Sequence, residues 1–189
     1  EMGARYVNDI QAICDIVHPR YGVITSIGPQ HLESFGSIEN IVKTKFELYE
    51  SIPDDGMMFL NYDNEYIRNY KGMKPQTGFG SSPDAQFRLL NMDVSASGTV
   101  FRVDIPGEGA QEFATELIGE HNVLDITAAI AVAYSLGVTV PELKKRVKKI
   151  RPVEHRLQLL PRRGRITIID DAYNSNPNGF RSAVDTLNY

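Results

Sequence analysis

Apolar and polar residues alternate along the first part of the chain in patterns that predict helices and strands in turn. Apolar residues at spacings of three and four predict a helix over residues 4–17, and the β-branched run 22–27 predicts a buried strand. A second helix is predicted over 37–52, with Ser37 as its N-cap, and a second strand over 57–60. This alternation with short connections favours a parallel sheet covered by helices.

The middle of the chain has a different pattern. Three short segments rich in strand-forming residues, 86–94, 99–105 and 112–117, are separated by turns that contain Ser, Gly and Pro. Such spacing predicts antiparallel hairpins inserted beside the α/β core. Two helices are then predicted over 122–136 and 141–150, the second with a proline in its first turn.

The sequence predicts two parts, a central α/β domain over 1–150 and a linker with the start of a second domain over 151–189. Within the second part, strands are predicted over 156–160 and 165–170 and a helix over 178–187. The expected fold class is therefore α/β, with a mostly parallel sheet flanked by helices and a small antiparallel insertion. The final strand and helix are typical of the first β-α unit of a Rossmann-like domain.

Composition excludes several classes of function. Hydrophobic residues make up 42% and charged residues 23% of the 189 residues, as in soluble globular proteins, and a net charge of -4 argues against nucleic acid as a partner. The sequence contains one cysteine, Cys14, so no disulfide can form within the chain. No apolar run approaches the ~20 residues that span a bilayer. We expect a cytoplasmic protein and, because the sequence begins at Glu1 without Met or leader, a piece of a longer chain.

One lysine of the second predicted helix lies in an unusual position. At about 100° per residue, Lys45 falls near the centre of the apolar stripe, whereas Lys43 points the other way. One interpretation is that Lys45 snorkels to solvent or pairs with a carboxylate such as Glu47 or Glu33. The functional interpretation is that a shielded neutral amine acts as a nucleophile, or takes up carbon dioxide to form a carbamate. A carbamate would supply an anionic oxygen ligand for a metal.

Two further residues could act with Lys45. His31 follows the first predicted strand on a loop, where α/β sheets place their ligands, although a solvated surface histidine is the alternative. Glu1 would end a strand that precedes this sequence. A carboxylate, an imidazole and a second anionic oxygen could hold a divalent ion, with Mg²⁺ favoured if phosphates fill the remaining positions. Spacing along the chain leaves open whether the three residues converge.

Two polar motifs occur later in the chain. Residues 119–122 (Gly-Glu-His-Asn) open a predicted helix. The backbone amides of this helix start could face an anion, or the side chain of Asn122 could face a base. The alternative is simple N-capping by Asn122. Residues 170–177 (Asp-Asp-Ala-Tyr-Asn-Ser-Asn-Pro) could be a turn or could bind a ribose or a peptide. The sequence contains no Gly-x-x-x-x-Gly-Lys-Ser/Thr phosphate loop.

Several stretches together resemble the Mur ligases, the ATP-dependent amide-forming enzymes of peptidoglycan synthesis. These stretches are residues 1–4, 25–37, 45–47, 119–122, 155–158 and 170–177. Their order and spacing match across nearly the whole chain. The last stretch is most similar to the branch of the family that joins D-alanyl-D-alanine to UDP-N-acetylmuramoyl-tripeptide.

The resemblance implies roles for individual residues. Lys45 matches the family's carbamylated lysine, and Glu1 and His31 match magnesium-ligand positions, so Lys45 and His31 are the expected catalytic residues and all three the expected metal ligands.

The resemblance also implies a set of nucleotide-binding residues. Asn122 matches an ATP-contacting position, and Arg156 and Asp171 match positions near the phosphates and ribose. Asp125 stands where many relatives carry an adenine-contacting asparagine. A carboxylate accepts hydrogen bonds but cannot donate one to a ring nitrogen, so adenine selectivity stays open.

The expected activity is ATP-dependent and Mg²⁺-dependent ligation through an acyl phosphate, carried out by a monomer with UDP-N-acetylmuramoyl-tripeptide and D-alanyl-D-alanine as substrates. Without a phosphate loop, this fragment alone is expected to be inactive. Two alternatives remain: another family member that takes an amino acid or glutamate as the incoming amine, and a non-catalytic module that keeps the scaffold to bind a partner.

Overall fold

The computed structural model describes residues 1–95, 97–164, 166–173 and 177–188. The chain divides into two compact units, Glu1–Gln86 and Phe87–Tyr189. In the described residues, no helix has both the length and the apolar character needed to cross a lipid bilayer.

The first unit is a parallel three-stranded sheet with helices between its strands. Its strands are β1 (Tyr21–Ile24), β2 (Met57–Asn61) and β3 (Gln76–Gly80), with β2 paired to both neighbours. Its helices are α1 (Asp9–Val17), α2 (Leu32–Phe35), α3 (Ile38–Ser51) and α4 (Glu65–Arg68). The predicted α/β alternation is confirmed, but β1 ends three residues earlier than predicted, which leaves residues 25–31 as a loop.

The core of the first unit lies between α3 and the sheet. The cluster contains Ile24, Ile41, Phe46, Tyr49 and Leu60, all at most 5% exposed. The hydroxyl of Tyr49 is satisfied inside this core, since it donates to the carbonyl of Lys74 at 3.1 Å and accepts from the amide of Lys74 at 2.9 Å. The apolar stripe predicted for α3 therefore faces the sheet, and Ser37 caps the helix as predicted by accepting from the amide of Asn40.

Strand β3 was not predicted, because its sequence Gln-Thr-Gly-Phe-Gly resembles a turn. Gly78 is needed there for close packing: a Cβ at this position would overlap the ring of Tyr62. The neighbouring Phe79 is fully buried, so one large side chain and one glycine together fit β3 into the unit.

The second unit contains the predicted hairpins and two helices. Strands β4 (Phe87–Ser95), β5 (Gly98–Ile105) and β6 (Gly109–Thr115) form an antiparallel meander. Helices α5 (Glu120–Ser135) and α6 (Val140–Val147) follow, and α5 packs on β4 and β5. A separate antiparallel pair, β7 (Gln158–Arg163) and β8 (Ile166–Asp170), precedes α7 (Pro177–Asp185). These elements confirm the predicted antiparallel insertion and the final strand and helix.

Candidate functional site

A cavity of about 560 Å³ in the first unit brings together the three residues predicted to hold a divalent ion. Glu1, His31 and Lys45 all line it, together with β1 and the loop of residues 25–28. The three residues come from the N-terminal segment, the loop before α2 and the middle of α3. Spacing along the sequence left open whether the three residues converge, and the fold places all three on the lining of this one cavity.

Lys45 lies on the side of α3 that the helical periodicity predicted. It is half-buried and lines the cavity, whereas Lys43 is exposed. Among the described residues, Lys45 forms no ion pair. The interpretation that Glu47 neutralises Lys45 is therefore wrong. A half-buried amine without a counter-ion is well placed to react with carbon dioxide, because the reaction converts it into an anion.

Glu47 instead fixes α1 against α3. Its carboxylate, 8% exposed, accepts from the backbone amides of Asn8 at 2.8 Å and Gln11 at 2.9 Å. Asn8 lies at the N-cap position in the left-handed region and provides no side-chain cap of its own. Glu47 thus takes the place of the missing cap and suits the positive end of the helix dipole. Glu47 therefore attaches the start of α1 to α3, the helix that carries Lys45. The segment that carries Glu1 lies directly before α1.

Two asparagines at the end of β2, one in its last position and one three residues later, bond the loop that leads to His31. The side-chain amide of Asn61 donates to the carbonyl of Thr25, and that of Asn64 donates to the carbonyl of Ile27, both at 2.8 Å. Sequence reasoning missed both residues. The available signal was their position at and just beyond the end of a strand, since the carboxyl ends of parallel strands lie at one edge of the sheet.

His31 is exposed and adopts a positive φ of 53° at the N-cap position of α2. Its carbonyl accepts from the backbone amides of Ser34 and Phe35, both at 3.0 Å. The backbone at His31 is thus fixed by the first turn of α2, while its imidazole remains open to solvent at the cavity. This arrangement agrees with an imidazole that is available to a ligand.

Magnesium fits the donor set of the cavity if substrate phosphates complete its coordination. In the described part of the chain, no group of three His, Cys, Asp or Glu side chains lies close enough to hold a metal. Glu1 and His31 line the cavity as two possible protein donors, and a carbamate on Lys45 would add a third. Mg²⁺ commonly keeps several waters and binds through one or two carboxylates plus phosphate oxygens, so a sparse protein donor set suits this ion.

In the second unit, Asn122 and Asp125 lie one turn apart at the start of α5. The helix begins after Gly119, whose φ is 91° and which, as a glycine, provides no side-chain cap of its own. Asn122 donates from its side-chain amide to the carbonyl of Ile118 at 2.8 Å, so the hypothesis that Asn122 is the N-cap is wrong, because an N-cap side chain accepts from the helix amides. Partial desolvation raises the pKa of Asp125, and the nearby His121 opposes this shift.

Asp171 and Arg156 lie where the end of β8 meets the turn before β7. The carboxylate of Asp171 accepts from the amide of Leu157 at 3.0 Å. The guanidinium of Arg156 stacks over the ring of Tyr173 at 4.2 Å from its centroid. His155 bonds Asp170 through Nδ1 at 2.8 Å and lowers the pKa of that carboxyl. Residues 174–176 of the predicted polar motif lie outside the described residues.

Leu157 connects these two parts of the second unit. Its side chain is 3% exposed and packs on Gly119, where a Cβ would approach the Leu157 Cδ2 to 2.6 Å. Because the amide of Leu157 also bonds Asp171, the start of α5 and the end of β8 are adjacent. Asn122 and Asp171, both predicted to contact a nucleotide, thus come from segments that meet.

Comparison with known proteins gives a family and a set of relatives. Residues 1–133 match the family model described as the Mur ligase middle domain. The UDP-N-acetylmuramoyl-tripeptide–D-alanyl-D-alanine ligase of Mycobacterium leprae is 33% identical over 99% of this chain and 39% of its own length. The ligase of the same name from Escherichia coli is 27% identical over 99% of this chain and 42% of its own length. The chain therefore spans about two fifths of the relatives it matches.

Solved structures agree with this assignment. A crystal structure of MurF from Acinetobacter baumannii superposes with a TM-score of 0.88 at 27% identity, covering 98% of this chain and 41% of that protein. MurF from Thermotoga maritima in complex with ADP superposes with a TM-score of 0.89 over 99% of this chain and 43% of that protein. At 24% identity the second match supports the fold alone.

Proposed function

The chain belongs to the Mur ligase middle-domain family, and from this premise we propose that it is the central part of an ATP-dependent ligase that joins D-alanyl-D-alanine to UDP-N-acetylmuramoyl-tripeptide. The observation that carries the proposed chemistry is the cavity shared by Glu1, His31 and Lys45, in which Lys45 is half-buried and forms no ion pair with any residue that the structure describes. The names of the relatives support the choice of substrates. Within this proposal, residues 1–150 form the central domain, and residues 151–189 form the linker and the start of the next domain.

The proposed reaction has two steps. The substrate carboxylate attacks the γ-phosphorus of ATP, which gives an acyl phosphate and ADP. The free amine of D-alanyl-D-alanine then attacks the acyl carbon, and the tetrahedral intermediate expels inorganic phosphate as the amide forms and the amine loses its proton. Both steps concentrate negative charge on phosphate oxygens, so positioning and cationic screening provide most of the catalysis.

The first unit provides the cation site in this proposal. Glu1 and His31 bind Mg²⁺, which screens the phosphate charge when bound. Lys45, converted to its carbamate, adds an anionic oxygen beside them. Glu47 keeps the segment that carries Glu1 close to α3 through its two bonds to the start of α1.

The second unit provides the nucleotide contacts. Asn122 and Asp125 contact the adenine from the start of α5, and Arg156 and Asp171 contact the phosphates and the ribose. The adjacency of these segments through Leu157 and Gly119 supports a shared role. We further propose that the ligase is a cytoplasmic monomer.

The test uses the complete protein that contains this chain, supplied with ATP, Mg²⁺ and UDP-N-acetylmuramoyl-tripeptide. Phosphate release is measured with D-alanyl-D-alanine, with free D-alanine and with glutamate as the incoming amine. We expect release with D-alanyl-D-alanine only, together with the extended peptide product by mass spectrometry. Release with a single amino acid instead would change the assigned amine, and no release with any amine would favour a non-catalytic module.

A further inference from the structure

Asn61 and Asn64 connect the end of β2 to the loop that lines the cavity of the first unit. Strand β1 ends at Ile24, which pairs with Leu60, so the backbone ladder between β1 and β2 stops there. From that point, the side-chain amides of Asn61 and Asn64 bond the carbonyls of Thr25 and Ile27, each at 2.8 Å. Side-chain bonds thus continue the connection that backbone bonds had made in the strand.

Both asparagines use the acceptor end of their side chain as well as the donor end. The Oδ1 of Asn61 accepts from the amide of Asp63 at 2.9 Å, and the Oδ1 of Asn64 accepts from the amide of Ile67 at 3.3 Å as the N-cap of α4. Asn61 is also buried, with 8% of its surface exposed. Each amide group is thereby locked at both ends and cannot rotate without the loss of two bonds.

The loop held by these bonds carries the groups that face the cavity. Thr25, Ile27 and Gly28 line the cavity, and His31 follows within the same loop. Other bonds hold the last part of this loop: the amide of Gln30 donates to the carbonyl of Gly28 at 2.8 Å, and the carbonyl of His31 accepts from the first turn of α2. The two asparagines bond the first part of the loop, at Thr25 and Ile27, to the segment at the end of β2.

We propose that Asn61 and Asn64 are positioning residues that set the loop of residues 25–31, and through it the imidazole of His31, for the cation and phosphate groups that the cavity binds. The assignment of a cation and phosphates rests on the proposed function. The placement of the loop does not, and it is tested separately below.

The variant Asn64→Asp separates positioning from general stability. An aspartate is as good an N-cap as asparagine, so α4 keeps its cap, but it cannot donate to the carbonyl of Ile27. In the complete protein, we expect hydrogen exchange of the backbone amides in residues 25–31 to rise roughly three- to tenfold, the effect of one lost hydrogen bond. Residues 65–70 should be unchanged.

The matched control is Asn69→Asp, which makes the same change of charge at the end of α4, where the side chain is exposed. Its exchange in residues 25–31 should equal that of the wild type. Asn61→Asp provides a second variant, which keeps the acceptor for the amide of Asp63 and removes the donor to Thr25. Unchanged exchange in residues 25–31 for both Asn61→Asp and Asn64→Asp, or an equal rise across the first unit, would overturn the proposal.

The functional arm is the Mg²⁺ dependence of ligation. For Asn64→Asp we expect the Mg²⁺ concentration at half-maximal rate to rise roughly three- to tenfold, while the KM for D-alanyl-D-alanine stays within about twofold of the wild type. An increase in that KM alone would contradict a role at the cation site. If the wild-type protein shows no ligation but exchange in residues 25–31 still rises, the proposed function fails and the positioning role stands.

Discussion

The two units hold their predicted site residues by hydrogen bonds of different range. In the first unit, the bonds from Glu47, Asn61 and Asn64 join residues that are 36 to 39 positions apart in the chain. In the second unit, the bonds of Asp171 and His155 join residues 14 and 15 positions apart, across the β7–β8 pair.

This difference predicts how the predicted site residues of each unit respond to mutation. Bonds between distant segments form only when the whole unit is folded, so the geometry of the first-unit cavity should follow the global stability of that unit. Contacts across one hairpin depend on a smaller part of the chain and should change locally. Substitutions in the two units therefore provide a direct test of the comparison.

The largest effect is expected for Lys45→Ala in the complete protein. Removal of a group that organises charge at the reacting phosphates typically costs about 10²-fold or more in rate. We expect a loss of that size in ligation, measured as phosphate release, with partial recovery when formate or acetate is added to occupy the vacated anionic position. Lys43→Ala, two residues away on the exposed face, is the control and should keep near wild-type activity.

Near wild-type turnover in Lys45→Ala would remove the assigned role of the residue. A loss without any recovery by carboxylates, accompanied by a lower free energy of unfolding, would reduce Lys45 to a packing residue. Recovery in Lys45→Ala, with no effect of the same carboxylates on Lys43→Ala, would support the carbamate specifically.

The next largest effect is expected for Glu47→Gln. The amide of glutamine retains only one oxygen, so the two backbone amides of Asn8 and Gln11 can no longer both be bonded by a charged acceptor. We expect the free energy of unfolding to fall by about 2 kcal/mol, the contribution of hydrogen bonds to a charged group, as measured by urea denaturation.

Glu50→Gln is the control for Glu47→Gln on the same helix. Glu50 is exposed and accepts from the hydroxyl of Tyr70, an interaction that glutamine preserves. If the two variants lose equal stability, Glu47 does not cap α1 in the way described. Loss of stability in Glu47→Gln without faster proteolysis of residues before α1 would also weaken the link to Glu1.

Local patterns predicted the parts of the fold that depend on local physics. The phase of Lys45 on α3 and the cap at Ser37 follow from helical periodicity and from one hydrogen bond between near neighbours. The alternation of helices and strands was likewise predicted from apolar spacing. The same approach missed β3, since its two glycines weaken the strand pattern and the close contact of Gly78 with Tyr62 exists only after folding.

The residues that hold the first-unit cavity in place were not predictable from local patterns. Glu47 was expected near Lys45 because the two are close on one helix, but its carboxylate turns to α1, an element that precedes it by about 36 residues. Asn61 and Asn64 carried no periodic signal at all. Polar residues that bond distant backbone atoms are fixed by tertiary structure, which a single sequence does not display.

In the second unit, His155→Ala is expected to give a smaller effect that depends on pH. The hydrogen bond from His155 lowers the pKa of Asp170, so the removal of His155 should return that pKa toward its ordinary value, as measured by carbon NMR of the carboxyl. A carboxyl with a lowered folded-state pKa stabilises the fold at pH above its unfolded value of about 3.9, and this contribution is lost as pH falls through the folded-state pKa. The stability difference between wild type and variant should therefore shrink in acid.

The location of increased hydrogen exchange in His155→Ala tests whether support in the second unit is local. Hydrogen exchange in His155→Ala should rise within β7 and β8 and leave residues 25–31 unchanged, because the bond to Asp170 spans one hairpin. An equal rise in the first unit would contradict the division into long-range and local support. An unchanged pKa of Asp170 would show that the bond does not form in solution.

The smallest effect is expected for Asp125→Asn, which changes the group proposed to contact adenine. Desolvation raises the pKa of Asp125, so a neutral amide should be tolerated there at little cost in stability. An amide both donates and accepts, whereas the carboxylate only accepts, and one added hydrogen bond corresponds to roughly three- to tenfold in binding. We therefore expect the preference of the complete protein for ATP over GTP, measured as the ratio of kcat/KM values, to increase by that factor.

Asp93→Asn, on an exposed position of β4 in the same unit, makes the same change of charge and should leave the ratio unchanged. If both variants change the ratio equally, the effect is one of net charge and Asp125 does not contact the base; if neither does, adenine is bound elsewhere.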